Sequence, residues 1–448
     1  MAGAASPAKR TRVRYWVIVL VFVITTINYA DRATFSIAGQ SAAAELGFNA
    51  VEMGYILSAF AWSYVIAQLP GGALLDRYGT RTIYIVSLVI WSLFTAIQGL
   101  AGFFTGFAAA AFFFATRFLM GAAEAPSFPG NARIVAAWFP GNERGMASAI
   151  FNSAQYFSLV AFAPLMGWLV HRFGWQSVFW VMGALGLLSA LVFARFIHGP
   201  AQHPHANAAE IDYIRAGGGL VDLEAKAGAP SVAFTWHNVR QVLVPRMFIG
   251  IYLAQYCIIT LTYFFTTWFP IYLVKERGLS ILQAGFAAAL PAICGFLGGL
   301  LGGYASDALL KRTGSLTFAR KAPILAGMLL SVVIVACNYV EQQWLVLAVM
   351  ALAFFGKGVG SLGWAVMSDV SPRGAAGLAG SIFNTFGNAA GIITPIVIGY
   401  IVQSTGSFAW ALIFIGVHCV VAALSYLFVV GEIRRVELQP VSPEGLRP

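Results

Sequence analysis

The sequence predicts an all-α membrane protein with twelve transmembrane helices, and three observations lead to this fold class. First, 59% of the 448 residues are hydrophobic and only 10% are charged, whereas about a quarter of the residues of a soluble domain are charged. Second, apolar runs of the roughly 20 residues needed to cross a bilayer recur along the whole chain. Third, two motifs of the first half return in the second half at nearly the same offset.

The apolar runs are separated by short polar, glycine or proline segments. The first run follows basic residues, as in a signal peptide, but it is long and no clear small-residue cleavage site follows it. We therefore interpret it as the first membrane helix. In the eighth run, the glycines of "GFLGGLLGGY" are spaced for close helix packing. We expect membrane helices at approximately 15–38, 52–75, 82–101, 104–126, 146–170, 175–197, 246–273, 281–304, 322–340, 343–367, 376–402 and 408–430.

A polar segment with proline and glycine residues divides the twelve runs into two groups of six. We predict an N-terminal six-helix bundle over residues 1–197, a cytoplasmic linker over 198–245, a C-terminal six-helix bundle over 246–430 and a cytoplasmic tail over 431–448. Placing both termini in the cytoplasm leaves nearly all lysines and arginines on that side, as the positive-inside rule requires. We expect a multi-pass protein of the cell membrane with both termini cytoplasmic.

The two halves repeat each other. "GGALLDRYGTR" is echoed by "GGYASDALLKRTG", so that Asp76 lies 231 residues before Asp307. "ASAIFNSAQ" is echoed by "AGSIFNTFG", so that Asn152 lies 232 residues before Asn384. Matches in the same order and orientation indicate parallel repeats related by an axis along the membrane normal. The sequence therefore predicts two related bundles around a central cavity.

Five charged residues lie inside predicted spans. A charged side chain at the middle of a membrane costs about 2.5–3.5 kcal/mol on the translocon scale, so five exposed to lipid would cost about 12–17 kcal/mol. Such a cost rivals the stability of a whole domain. These side chains must therefore face one another or a water-filled cavity. They are Asp31, Arg32, Arg117, Glu124 and Lys357.

Their spacing indicates what the charges do. Asp31 and Arg32 are adjacent and point about 100° apart on a helix, so each needs a partner elsewhere. Arg117 and Glu124 are seven residues apart and share a helix face. A carboxylate in a partly dry cavity can gain and lose a proton as neighbouring cations come and go. A guanidinium stays charged, and its planar fork suits a carboxylate. The pattern favours proton-binding acids beside bases that bind an organic anion.

Several motifs then resemble a known family over nearly the whole chain. "GGALLDRYGTR" resembles the signature loop between helices 2 and 3 of the major facilitator superfamily. "INYADR", "SAFAWSYVIAQLPGG", "RFLMGAAEAPSFPGNARIVAAWFPGNERGMA" and "FFGKGVGSLGWAVMSD" resemble the anion:cation symporter family within it. The chain is most similar to its bacterial D-glucarate/galactarate transporters, with D-galactonate and hexuronate carriers as near relatives. The resemblance implies the superfamily's fold and a proton-coupled importer of a sugar acid.

The resemblance also implies site residues. In similar symporters the acids matching Asp31 and Glu124 are protonation sites, the arginine matching Arg32 contacts the sugar-acid carboxylate, and the one matching Arg117 governs Glu124. Amide, phenol and indole side chains that line the cavity suit a polyol. These match Tyr64, Gln155, Trp364 and Asn384. Charged residues at helix ends on the cytoplasmic side predict gate ion pairs that break and reform as the halves rock. They are Asp76, Arg77, Arg81, Glu143 and Arg144.

Lys357 raises the question of substrate charge. With Arg117 occupied by Glu124, the buried cations Arg32 and Lys357 remain. Our hypothesis is that Arg32 binds one substrate carboxylate and Lys357 a second, which favours a hexarate dianion over a monoanionic aldonate. The alternative is structural: Lys357 extends toward the membrane surface or pairs with Asp369.

Other functions are weaker fits to the sequence. A carrier for galactonate, a hexuronate or an aromatic acid remains the alternative substrate reading. No catalytic constellation or metal-ligand spacing points to an enzyme, and two repeats with a buried charged seam suit a carrier better than a channel. Basic residues are scattered, so we expect no nucleic acid partner. We expect a monomer in the lipid bilayer without a cofactor, coupled to protons; Na⁺ at Asp31 is the other coupling ion considered.

Overall fold

The helices of the protein follow the apolar runs of the sequence. The structure, a computed structural model, describes residues 10–141, 143–223, 236–372 and 376–437. Within these ranges, twelve helical segments are long and apolar enough to cross a membrane, which confirms the predicted fold class. They are Val13–Leu46, Ala50–Gln68, Thr80–Phe103, Gly106–Trp138, Met146–Phe173, Gln176–Phe196, Arg246–Lys275, Ile281–Thr313, Leu316–Tyr339, Gln343–Val370, Leu378–Thr405 and Ala409–Val429.

The chain folds as two compact units. Unit 1 comprises Met1–Phe48 and Ala59–Ala229, and unit 2 comprises Asn49–Ser58 and Pro230–Pro448. The helices that begin in unit 1 are α1 Val13–Leu46, α3 Thr80–Ile97, α4 Gly106–Glu124, α5 Ser127–Trp138, α6 Arg144–Phe173, α7 Gln176–Phe196 and α8 Ala208–Ala216. Helix α2, Ala50–Tyr78, begins in unit 2 and continues in unit 1.

The remaining helices belong to unit 2. They are α9 Trp236–Leu243, α10 Arg246–Tyr263, α11 Phe269–Lys275, α12 Ile281–Thr313, α13 Leu316–Ser331, α14 Gln343–Val359, α15 Gly363–Val370, α16 Ala376–Thr405 and α17 Ala409–Leu424. The start of α2 joins this unit because it packs on α16. The Ala50 amide donates to Gln403 Oε1 at 3.3 Å, and the Tyr55 and Tyr400 hydroxyls lie 3.4 Å apart.

The fourth and tenth spans are each broken into two helices. The predicted fourth run, 104–126, ends at the first break, so that Ser127–Trp138 lies beyond it, whereas the predicted tenth run, 343–367, continues through its break. In unit 1, α4 ends at Glu124, and Pro126, which lacks an amide hydrogen, precedes α5. In unit 2, α14 ends at Val359, and a turn containing Gly360 precedes α15. Glu124 and Lys357 are 233 residues apart, close to the offset of the repeated motifs. The two breaks therefore place a carboxylate and an ammonium at corresponding points of the repeat.

Glycines bring these broken helices close to their neighbours. A Cβ on Gly121 of α4 would lie 2.3 Å from the Phe60 carbonyl oxygen of α2. Cβ atoms on Gly298 and Gly302 of α12 would lie 2.2 and 2.3 Å from carbonyl oxygens of α14. Only glycine permits such an approach, which confirms the predicted packing role of the eighth-run glycines. The close approach at Gly121 brings the end of α4, where Glu124 lies, near α2.

Candidate functional site

Arg32 and Glu124 form an ion pair inside unit 1. Arg32 Nε donates to Glu124 Oε1 at 2.7 Å, and Arg32 Nη2 contacts the same oxygen. The Glu124 side chain is 0% exposed and that of Arg32 is 15% exposed. Glu124 Oε2 is buried and has no hydrogen-bond partner among the described residues. The carboxylate is therefore held by one oxygen, and the other lacks the contact that buried polar atoms normally have.

Three aromatic rings surround the Arg32 guanidinium. Its Cζ lies 4.5 Å from the ring centroid of Tyr29, 4.8 Å from that of Phe60 and 4.9 Å from that of Tyr64. Cations are attracted to aromatic faces at this distance. The rings help to keep the guanidinium in place through its face, while its Nε and Nη2 atoms contact Glu124. Tyr64, predicted to line the cavity, thus lies beside Arg32.

Asp31 has a different partner from its neighbour, as their positions on the helix require. Trp91 Nε1 on α3 donates to Asp31 Oδ2 at 3.0 Å. Both side chains are 0% exposed. Asp31 Oδ1 is buried without a hydrogen-bond partner among the residues that the structure describes.

Arg117 supports the same region from α4. Its side chain is 1% exposed, and Nη2 donates to the Arg32 backbone carbonyl at 3.3 Å. The sequence analysis assigned Glu124 to Arg117 and left Arg32 for the substrate. In the structure Arg32 itself contacts Glu124, so binding a substrate carboxylate at Arg32 requires Glu124 to release it. We call Asp31, Arg32, Arg117 and Glu124 the buried charge cluster.

Gln155, the other predicted cavity residue of unit 1, contacts its own helix. Its Nε2 donates to the Asn152 carbonyl at 3.2 Å, and its predicted role stays a prediction. The predicted gate residues differ in what they contact. Arg81 Nε donates to the Ile197 carbonyl at 3.1 Å, and Arg77 lies over the ring of its neighbour Tyr78. The Asp76 side chain lies outside the described part of the chain, and the gating role stays a prediction.

Unit 2 contributes three predicted site residues. Lys357 is 3% exposed, and its Nζ lies 5.3 Å from the Phe354 ring centroid. Trp364 is half exposed and packs edge-on against Phe383, with ring centroids 5.0 Å apart. The Asn384 carbonyl accepts a hydrogen bond from Asn388 at 2.9 Å. Asp369, the alternative partner considered for Lys357, accepts from Arg320 Nε at 2.8 Å.

The sequence analysis missed the aromatic contacts of the cluster. Tyr29 could have been found, because it lies three residues before Arg32 and therefore on the same helix face. Trp91 has no such local signal, because it lies 60 residues from Asp31 in the sequence. Phe60 reaches Arg32 from α2, and its apolar surroundings in the sequence resemble ordinary core.

A second buried glutamate lies at the start of α1. Glu210 of α8 is 0% exposed and accepts four hydrogen bonds. Its Oε2 accepts from Thr11 Oγ1 at 2.6 Å and the Val13 amide at 3.0 Å, and its Oε1 accepts from the amide and Nη1 of Arg14 at 3.3 and 3.1 Å. The carboxylate satisfies first-turn amides that a helix leaves without partners. It joins the predicted linker to α1.

Arg14 extends this contact to Glu143. Its Nε donates to Glu143 Oε2 at 3.0 Å, and the Tyr213 hydroxyl donates to Glu143 Oε1 at 2.7 Å. Burial alone would raise the pKa of Glu143, but the hydrogen bonds from Arg14 and Tyr213 outweigh it and lower that pKa. Donation to Glu143 raises the pKa of Tyr213. We call Thr11, Arg14, Glu143, Glu210 and Tyr213 the N-terminal clamp.

Within the described residues, no group of three or more histidine, cysteine, aspartate or glutamate side chains is arranged to hold a metal ion. The four cysteines are free thiols. Two linker histidines, His198 and His203, pack edge to face with ring centroids 5.7 Å apart. Burial and the charge of Arg81 lower the pKa of His198.

In the described part of the chain, twelve apolar helices with charged side chains buried among them are typical of a membrane transporter and not of a soluble enzyme. The chain belongs to the Major Facilitator Superfamily, whose family model matches residues 21–319 and 310–446. The relatives of this chain are transporters, and the protein is not an enzyme.

Individual relatives cover nearly the full chain. The probable galactarate/D-glucarate transporter GudP of Escherichia coli (strain K12) is 56% identical, over 98% of each chain. The D-galactonate transporter of Escherichia coli O6:H1 is 39% identical, over 97% of this chain and 99% of its own. A crystal structure of a D-xylose–proton symporter has the same fold, with a TM-score of 0.72, 14% identity, and coverage of 94% of this chain and 98% of its own.

Proposed function

We propose that this protein is a proton-coupled symporter that imports a sugar diacid, of the D-glucarate or galactarate type, by alternating access. The relatives that are 52–57% identical are named as probable galactarate/D-glucarate transporters, which supports this substrate class. The coupling ion is the proton, and no other cofactor takes part. The monomer lies in the cell membrane with both termini in the cytoplasm, an orientation supported by the distribution of its basic residues.

The ion pair between Arg32 and Glu124 carries the proposal. Arg32 is the side chain best suited to a substrate carboxylate, and in this structure Glu124 occupies it. A proton on Glu124 removes its negative charge and weakens the hold on Arg32, so the guanidinium becomes available to the substrate. Loss of the proton restores the Glu124 carboxylate as a competitor, which expels the substrate. Proton and substrate therefore bind together and leave together.

Asp31 supplies a second proton site. Protonation of Asp31 and Glu124 leaves the buried arginines as an excess positive charge, which attracts an anionic substrate. Once the anion is bound, the charges are balanced and the cost of closing the cavity to water is lower. This balance explains why acids and bases occur side by side in the first and fourth spans.

Lys357 is the feature that favours a diacid over a monoacid. It is a buried cation of unit 2, in addition to Arg32 of unit 1, and each is of the type that binds a carboxylate. The second candidate is a monoacid such as D-galactonate, which the 39% identical relative favours. The two candidates differ in whether Lys357 is needed for a second carboxylate.

The substrate class is tested with Lys357→Gln. We expect the affinity for D-glucarate to fall by a factor about ten times larger, or more, than the factor by which the affinity for D-galactonate falls. The reason is that a hydrogen bond between charged groups is worth about 1.5–3 kcal/mol. Competition with labelled substrate in proteoliposomes gives both affinities. Lys357→Arg keeps the charge and should keep the preference. Equal losses for both acids in Lys357→Gln would reject the role of Lys357.

The function is tested by uptake of labelled D-glucarate into proteoliposomes, with and without an inward proton gradient. We expect accumulation that requires the gradient and disappears in Asp31→Asn. Uptake of D-galactonate or a hexuronate but not of D-glucarate would keep the mechanism and change the substrate. Uptake that does not depend on the gradient and does not accumulate substrate would reject symport. In that case, exchange of labelled for unlabelled substrate would distinguish a carrier from a channel.

A further inference from the structure

We propose that Trp91 is a positioning residue for the coupling acid Asp31. Its indole N–H occupies Oδ2, so the transported proton binds at Oδ1. This inference rests on the proposed function, because it concerns how Asp31 takes up its proton. It assigns a specific task to a tryptophan that otherwise resembles core.

The geometry of the contact supports this task. Trp91 Nε1 lies 3.0 Å from Asp31 Oδ2, and both side chains are 0% exposed. An indole N–H donates and cannot accept, so it opposes a proton on the oxygen to which it points. Oδ1 is the carboxylate oxygen without a partner among the described residues. A proton arriving at Asp31 therefore has one favourable position.

The same hydrogen bond affects the pH at which Asp31 binds its proton. A donor that faces a carboxylate stabilises the charged form more than the neutral acid. Replacing Trp91 by phenylalanine removes the N–H and keeps an aromatic ring in the core. Asp31 then holds its proton up to a higher pH, and proton-dependent uptake continues to a higher pH.

Other charged groups near Asp31 are the same in the wild type and in this variant. On α1 the neighbour is Arg32, and α4 contributes Arg117 and Glu124. The helices α5, α6 and α7 also pack on α1. The acidic, basic and histidine residues of these three helices are Arg133 on α5, Arg144, His171 and Arg172 at the ends of α6, and Arg195 at the end of α7.

Unit 1 contains a matched control for the tryptophan. Trp175 is 2% exposed, and its Nε1 donates to Glu45 Oε2 at 2.8 Å. Trp175→Phe therefore removes the same kind of hydrogen bond, from a buried indole to a carboxylate, outside the buried charge cluster. Any general effect of losing such a bond on folding or insertion is present in both variants.

The experiment measures D-glucarate uptake against external pH in proteoliposomes of both variants and the wild type. We expect the pH of half-maximal uptake to rise by about one unit in Trp91→Phe, the size expected for one hydrogen bond to a charged group. We expect no shift in Trp175→Phe. A Trp91→Phe variant that is active, or merely slower, with the wild-type midpoint would overturn the assignment. Wild-type uptake without pH dependence would instead reject the proposed proton coupling.

A second measurement does not depend on the Trp91 variant folding. Infrared difference spectra of the wild type between high and low pH, with those of Asp31→Asn subtracted, isolate the carboxylic acid band of Asp31. A proton on Oδ1 leaves Oδ2 as the acid carbonyl that accepts from Trp91. We therefore expect the frequency of a hydrogen-bonded carbonyl, and the frequency of a free carbonyl would overturn the proposal. This readout is independent of transport, so it separates failure of the inference from failure of the proposed function.

Discussion

Two arginine–glutamate contacts inside unit 1 differ in how completely the carboxylate is satisfied. In the buried charge cluster, Glu124 is held through Oε1 by Arg32, and its Oε2 has no partner among the described residues. In the N-terminal clamp, Glu210 accepts four hydrogen bonds that use both oxygens. Both glutamates are 0% exposed, so the difference lies in their partners and not in their burial.

Under the proposed mechanism, this difference predicts which contact changes during transport. The clamp carboxylate binds two backbone amides of α1 and two side chains, so its release would leave several groups without partners. Removing one partner of a fully satisfied buried group leaves the other unsatisfied, which costs about 1–3 kcal/mol. The Glu124 carboxylate is held through Oε1 by the Arg32 side chain, and its Oε2 has no hydrogen-bond partner among the described residues. A proton or a substrate carboxylate can therefore replace this contact.

The largest expected effect comes from exchanging the two glutamates for glutamine. Glu124→Gln should abolish gradient-driven accumulation of D-glucarate, while exchange of labelled for unlabelled substrate continues. Glutamine mimics the protonated acid, and it cannot lose a proton and bind Arg32 again as a carboxylate. Glu210→Gln should keep accumulation and lower stability, by about 1–3 kcal/mol for the lost charged hydrogen bonds. Proteoliposome uptake and thermal unfolding in detergent measure the two properties.

The contrast would fail in either of two ways. If Glu210→Gln also abolished accumulation at normal stability, the clamp would take part in coupling. If Glu124→Gln accumulated substrate as the wild type does, Glu124 would be a structural carboxylate like Glu210, and the Arg32 contact would have no switching role.

The next effect concerns the two arginines. Arg32→Lys keeps the charge but replaces the planar fork that binds a carboxylate. We expect KM for D-glucarate to rise about tenfold, as loss of roughly one hydrogen bond to a charged group predicts. Arg14→Lys in the clamp should leave KM unchanged. Uptake rates against substrate concentration test both variants, and an unchanged KM in Arg32→Lys would exclude Arg32 as the carboxylate ligand.

The sequence predicted the fold because its signals are carried by many residues. Twelve apolar runs predicted the number and order of the spans, and the repeated motifs predicted the parallel halves. The bounds were predicted less well, since the fourth span ends at Trp138 and not at 126. The break in the tenth span was missed because apolar residues continue through it, and the continuation of the fourth span as α5 was missed because the predicted run ends at 126. Pro126 and Gly360 mark these breaks, but proline and glycine also lie inside unbroken helices, such as Pro164 in α6 and Gly298 in α12. The residue type alone therefore does not decide.

The sequence revealed the buried charges but not their partners. A charged residue within an apolar run can be recognised from that one segment, because the free-energy cost of placing it in lipid does not depend on distant segments. The partner of a charge depends on the packing of distant segments. Arg32 was therefore recognised, but its contact with Glu124, 92 residues away, was not. Glu210 was missed because a glutamate in a polar linker resembles a solvated residue.

The smallest expected effect is a pH dependence of the clamp. Arg14 and Tyr213 lower the pKa of Glu143 below its ordinary value of 4.5. A lowered pKa in the folded state means that Glu143 contributes stability above about pH 4.5 and loses this contribution as the pH falls through its folded-state pKa. Because its side chain is 23% exposed, we expect less than about 1 kcal/mol.

Thermal unfolding between pH 6 and pH 3 tests this contribution. The unfolding temperature of the wild type should fall more steeply on acidification than that of Glu143→Gln, which has no carboxyl group to protonate. Tyr213→Phe removes one of the donors that lower the pKa, so its loss should begin at a higher pH than in the wild type. Parallel curves for all three proteins would show that Glu143 is a solvated surface acid. The clamp would then depend on Glu210 alone, and acid would affect transport through the buried charge cluster without loosening the start of α1.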